Sequence, residues 1–278
     1  MEIRDVTGQV ICTIPGDTLR DADLTDENLT RADLRGADLT DANLRETILT
    51  GANLTEANLT GANLTEADLR SANLTAAILT DADLTEANLE GANLTGANLA
   101  RADLTEAILA RANLSGAKLT CARLTDVDLE GANLTGANLL GANLTDAEPN
   151  DANLTDAALM GANLTRANLK GANLRGANFT AANLTDAALT GANLTDADLT
   201  DANLTIATLY NAVLHGADLT DAGLRDADLT DADLTDADLT GANLTNAIGL
   251  TRINLTSAIL TGANLTGTGL TALTGDGA

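Results

Sequence analysis

The stretch GANLTEANLTGANLTEADLR, residues 51 to 70, says nearly the same thing four times in twenty residues, and its leucines recur at every fifth position. A helix cannot use that spacing. Five residues of α-helix advance about 500°, so successive leucines wander around the axis and form no stripe. A continuous strand cannot use it either, because an odd step sends alternate leucines to opposite faces. The chain must turn once per repeat.

The pattern runs through most of the 278 residues. With the central residue of each five-residue window at 19, 24, 29 and onward to 244, leucine fills all but two windows, which hold Pro149 and Phe179. Alanine stands two residues earlier except at Asp17, Glu27, Thr47 and Val127. In the local unit A-N-L, Ala and Leu point one way and Asn the other, as on a short extended segment. Thr follows Leu and favours extended backbone. The Gly, Asp or Glu after it suits a turn. With one Phe, one Tyr and no Trp, the core must be built of Leu and Ala.

A longer period is written on top of the first. The residue two after every fourth central leucine reads Asp26, Glu46, Glu66, Glu86, Glu106, Asp126, Asp146, seven acids at steps of twenty. At steps of fifteen the series collapses, since Glu46 leads to Gly61. A ladder of Asn from Asn53 to Asn193 and one of Thr from Thr65 to Thr205 keep the same period. Four windows therefore make one turn of the chain.

This A-(D/N)-L-x-x tandem closely resembles the pentapeptide repeat family, from residue 17 to about 270. The resemblance implies an all-β fold, a right-handed quadrilateral β-helix (solenoid) with four pentapeptides per coil. Roughly 13 coils stacked at about 4.8 Å would make a rod of roughly 60 Å. The expected organisation is an N-terminal β-hairpin-like cap over residues 1–16, the pentapeptide-repeat helix over 17–246, and a register-shifted last coil with a C-terminal cap and tail over 247–278. Two short strands around Thr7-Gly8 place Ile3, Val6, Val10, Ile11 and Ile14 over the first coil. Near the far end one residue is inserted, because the leucine after Leu244 is Leu250. At Pro149 the register survives but a ladder N–H is lost, so a local kink or bulge is expected there.

Composition narrows the function. Forty acidic against 15 basic residues give a net charge of −25 and a pI near 4.1. Such a surface repels nucleic acid and anionic membranes and favours basic protein partners, while also serving solubility or high salt. Cys12 and Cys121 form no ligand-like cluster, no apolar run approaches membrane-spanning length, and a cytoplasmic setting is expected. The single His, His215, has no catalytic companion, and no nucleophile elbow, phosphate loop or metal-ligand spacing is present. An enzyme is not expected, nor is a cofactor or metal.

The expected function is a non-catalytic, acidic, protein-binding rod. Its sharpest form comes from the resemblance: quinolone-resistance relatives imply a DNA mimic that binds DNA gyrase or another topoisomerase. The acidic ladder from Asp26 through Glu46, Glu66, Glu86, Glu106 and Asp126 to Asp146 would meet a basic groove, and eight Asp between Asp218 and Asp238 offer a second acidic region. The alternative is a general interaction scaffold. For that reading Ile206, Tyr210, Val213 and His215 are the exposed anchors, and Leu140 and Met160 are expected to stack on successive coils. A Thr ladder that binds ice is the remote alternative. A homodimer through the C-terminal end is a further expectation.

Overall fold

The computed structural model describes residues 2–13, 18–251 and 253–270. Two strands occur among them, β1 (Glu2–Arg4) and β2 (Val10–Thr13), paired antiparallel in one two-stranded sheet. The expectation of an all-β, right-handed quadrilateral β-helix or solenoid is corrected by this finding. Among the described residues there is no further strand and no closed or curled sheet.

What the repeat builds is a stack of tight turns joined by isolated bridges. Asn53 bridges Asn73 in parallel, Asn73 bridges Asn93, and the same step of twenty recurs along the chain. Each bridge is one residue long, and the reason lies two residues after each leucine. That residue is held at positive φ, for example +59° at Glu56, +67° at Gly61 and +59° at Glu66. As in a type II turn, the left-handed residue reverses the chain, and the next N–H closes back on the leucine, as from Ala57 to the Leu54 carbonyl at 3.0 Å. Extended backbone therefore never lasts long enough for a strand. Twenty residues make one layer with four edges.

The interior is Leu over Ala. Central leucines from Leu24 to Leu244 are buried, as is Phe179 among them. Where Thr47 takes an alanine position, its hydroxyl donates to the Leu24 carbonyl at 2.8 Å, so the polar atom is satisfied. Pro149 is buried in a leucine position; its turn closes through Ala152 N–H, and the register holds on either side.

The two ends differ. The β1–β2 hairpin lies on the first layers, with Asp5 bridging Ala32, Asp33 N–H donating to the Arg4 carbonyl at 2.8 Å, and Ile3 only 3% exposed. Val6 and Val10, expected to cover the first layer, are exposed instead, and Ile14 lies outside the described residues. At the other end, bridges after the inserted residue step by twenty-one, as from Asp233 to Asn254. Gly249 carries the insertion at φ +90°, against the Thr230 backbone, where a Cβ would lie 2.3 Å from the Thr230 nitrogen. Leu255, Leu260, Leu265 and Leu270 in the last described layer are only partly buried. The tail after residue 270 lies outside the described residues.

Candidate protein-interaction edge

The acidic ladder is brought together. Each member sits at the left-handed corner of its turn, with φ between +54° and +59° from Asp26 to Asp146. Each also donates its N–H to the carbonyl just before the next member: Glu46 to Thr65 at 3.0 Å, Glu66 to Thr85 at 2.9 Å, Glu86 to Thr105 at 3.0 Å. The side chains therefore line a single edge of the stack, exposed except for half-buried Asp146. Sequence reasoning ended this ladder at Asp146, yet the same edge runs on through Arg166, Asp186, Ile206 and Asp226. The step of twenty, simply continued past the first basic residue, would have found them.

Two arginines tie down parts of the edge. Arg45 lies 2.5 Å from Glu46 and 3.0 Å from Glu66. Arg166 binds Asp146 through two nitrogens, at 2.6 and 2.5 Å. The hydrogen bonds from Arg166 hold the Asp146 carboxyl below the usual carboxylate range, and the guanidinium charge adds to them. Between these clamps, Glu86, Glu106 and Asp126 have no ion-pair partner among the described residues.

The second candidate group is not gathered. Ile206, Tyr210, Val213 and His215 are all exposed, but they occupy successive stations around one layer. Ile206 stands on the acidic edge, Tyr210 at the next edge, Val213 on the face after it, and His215 at the edge opposite Ile206. His215 Nδ1 lies 3.7 Å from Asp236 Oδ2. The eight Asp from Asp218 to Asp238 are likewise spread around all four sides.

The Thr ladder is occupied internally. Thr145 Oγ1 donates to Asn143 Oδ1 at 2.7 Å and accepts from Asn163 Nδ2 of the next layer at 2.8 Å. Thr165 and Thr185 repeat the arrangement. Hydroxyls bound in this way have little left for an ice lattice.

An open depression of about 470 Å³ lies at the edge after the acidic one, lined by Thr50, Arg70, Ser71, Glu90, Gly91 and Arg111. Its charges answer one another, Arg70 on Asp68 at 2.6 Å and Arg111 on Glu90 at 3.3 Å. Among the described residues no group of His, Cys, Asp and Glu is arranged to hold a metal ion, and no helix is long and apolar enough to cross a membrane.

The family model described as "Pentapeptide repeats (8 copies)" matches residues 18–51, 52–91, 82–120, 122–159, 150–180, 157–196, 182–221, 207–246 and 250–271. Among curated proteins, none matches the sequence. HetL, a pentapeptide repeat protein involved in heterocyst differentiation regulation in the cyanobacterium Nostoc sp. strain PCC 7120, is 38% identical over 79% of this chain and 87% of its own, with a TM-score of 0.41. A pentapeptide repeat protein of the Arabidopsis thaliana thylakoid lumen is 31% identical over 43% of this chain and 68% of its own, with a TM-score of 0.32. QnrB1, a plasmid-mediated fluoroquinolone resistance protein, is 15% identical over 76% and 88%, with a TM-score of 0.37. These superpositions are loose, so kinship rests on the repeat sequence.

Proposed function

This chain belongs to the pentapeptide-repeat family, whose members are non-catalytic scaffolds, and from that premise we propose that its acidic edge is the contact surface for a protein partner with a basic groove. The observation that carries the reading is the unbroken run of seven acids, Asp26 to Asp146, at the corners of one edge in successive layers. A side chain at positive φ costs about 1–2 kcal/mol that glycine does not incur. Elsewhere the same turn position mixes glycine with acids and other residues, as at Gly96, Gly116, Asp156 and Asp196 across the stack. Solubility alone would be served equally well by acids in any order around the stack, so seven in succession on one edge point to a use for charge there.

The sharpest version of this reading is mimicry of DNA toward DNA gyrase or a related topoisomerase in the cytoplasm. Carboxylates repeating at about 4.8 Å along an edge approach the charge density of one DNA strand, about one phosphate per 3.4 Å. A groove built for phosphates would accept such a line, and the attraction would speed encounter more than it would fix affinity. The broader version is a scaffold whose acidic edge serves some other basic partner. The internally bonded Thr hydroxyls count against ice binding.

The test is titration of the protein into a bacterial gyrase supercoiling assay beside a variant carrying Glu46→Gln, Glu66→Gln, Glu86→Gln and Glu106→Gln. Inhibition or protection by the native protein and a weaker effect from the variant are expected. Equal effects from both would remove the acidic edge from the contact. No effect at stoichiometric excess would remove gyrase and leave the scaffold reading to affinity capture with the same pair of proteins.

A further inference from the structure

One side of the stack is interrupted where the other three are continuous. From Leu24 to Leu244 every central residue donates its N–H to the carbonyl nineteen or twenty residues on, with Pro149 as the one exception. Proline has no N–H to give, so the Asn168 carbonyl has no backbone donor among the described residues. The loss shows in the bridges. Four columns of them run along the stack, and the one step missing between Asp23 and Asn264 is that from Glu148 to Asn168.

The same side is loosened on both flanks of the proline. Leu129 N–H reaches the Glu148 carbonyl at 3.2 Å, whereas Leu134, Leu139 and Leu144 make the equivalent bond at 2.7 Å on the next three sides. Ala152 N–H closes on the Pro149 carbonyl at 3.2 Å. One layer earlier, Val127 is the one valine at an alanine position. It is also the one such position from Ala22 to Ala247 whose N–H does not close its turn on the preceding leucine. The opposite side of these layers is intact. Asn138, Ala158 and Asn178 bridge in succession, and at the corner beside them Gly141 N–H donates to the Met160 carbonyl at 3.0 Å.

A single ion pair crosses the interrupted step. At the corner just before it, Arg166 of the later layer holds Asp146 of the earlier one through both Nε and Nη2. Arg166 stands between Asp146 and Asp186 as the one cation among the corners of that edge. At the corner on the far side of the step, Asp151 N–H donates to the Lys170 carbonyl at 2.9 Å, with no ion pair between the two side chains.

In a stack each layer is held by the layers beside it, and stability is a sum of neighbour terms. Where the repeats are nearly identical, the one weakened step decides where the stack opens first. We infer that the side from Ala147 to Ala152 is a built-in opening point, and that the Asp146–Arg166 pair is the latch that holds it shut. A cation drawn to Asp146 competes with Arg166 and releases the side, while the intact opposite side keeps the two halves of the stack together. The proline supplies the weak point and the arginine the control over it. Neither part rests on the function proposed for the acidic edge.

Amide hydrogen exchange of the full chain, read by mass spectrometry and corrected for intrinsic rates, tests both parts. Segments 147–152 and 167–171 are expected to exchange at least about fivefold faster than 137–142 and 157–161 of the same layers, the factor that one net backbone hydrogen bond supplies. Pro149→Leu restores both the N–H and the side chain of the repeat and should remove the contrast. Arg166→Gln should speed exchange in the two segments by a further factor of about two to five and leave the opposite side unchanged. Combined with Pro149→Leu, the same substitution should have no effect, since a complete ladder needs no latch. Equal exchange on the two sides of the native chain overturns the inference, as does a contrast that survives Pro149→Leu. Native-like exchange in the Arg166→Gln chain, or an equal response to that substitution with and without Pro149, overturns the latch.

Discussion

Two opposite edges of the same stack solve the same backbone problem with different residues. At the acidic edge the left-handed corner is held by an unbroken run of acids, Glu46, Glu66, Glu86 and Glu106 among them; across the stack glycines (Gly36, Gly96, Gly116, Gly136, Gly176 and Gly216) are mixed with Glu56, Ala76, Asp156, Asp196 and Asp236. The φ values nearly coincide, +58° at Glu106 and +64° at Gly116. Beneath both edges Leu104 and Leu114 are fully buried. The interior is therefore indifferent to which edge lies above it. Glycine takes the corner without steric cost, whereas glutamate bears a Cβ in a region that L-residues avoid. The difference teaches that the fold asks only for a turn at each corner, and that an unbroken run of acids on one edge answers to something outside the fold.

The largest effect that can break this comparison lies in the core. Leu104→Ala and Leu114→Ala should each cost about 2–5 kcal/mol in denaturant unfolding, and the two losses should agree within about 0.5 kcal/mol. Markedly unequal losses would mean that the edges differ inside as well as out. Next comes an exchange of corners. Glu66→Gly, Glu86→Gly and Glu106→Gly together should stabilise the protein by about 1 kcal/mol per site. Gly96→Glu, Gly116→Glu and Gly136→Glu should destabilise it by a similar amount, since nothing stands within 4 Å of a Cβ built at those glycines and only φ is strained. If melting curves show no gain from the first set, the acids at these corners are not strained relative to glycine.

Smaller effects sharpen the comparison through pH. The Asp68 carboxyl is pulled down to about 2, first by hydrogen bonds from Arg70, and Asp146 is lowered by Arg166. A depressed folded-state carboxylate stabilises the protein above its unfolded value, about 3.9. That contribution is lost as pH falls through the folded value. Arg70→Met should therefore flatten the fall in melting temperature between about pH 4 and pH 2. Arg166→Met should act in the same direction at the acidic edge, with the smallest effect of the series because the pair is exposed. A melting profile unchanged by either substitution would show that these pairs do not distinguish folded from unfolded chain.

Much of this architecture was legible because the repeat obeys rules that act residue by residue. The inward Leu and Ala, the step of twenty and the single inserted residue before Leu250 follow from spacing alone, and they reappear as burial and as bridges that shift from twenty to twenty-one. The strand content was not legible. Thr and Asn in an alternating unit read as β-structure, but a left-handed residue every five positions ends each extended segment after one bridge. Nor was the dispersal of Ile206, Tyr210, Val213 and His215 foreseen. Nearness in sequence suggested a cluster, whereas five residues per side carries neighbours around a corner.

The amino-acid sequence by itself determined which residues face inward, where the chain turns and which positions recur in the same column, because those depend on side-chain polarity and local backbone preference. Only the tertiary structure decided what the columns become. Bridges twenty residues apart turn isolated Glu and Asp into one edge, bring Leu140 and Met160 into adjacent layers, and commit the Thr hydroxyls to Asn of the next layer. Stacking creates these neighbours between residues distant in the chain, and an edge acts through its neighbours rather than through any single repeat.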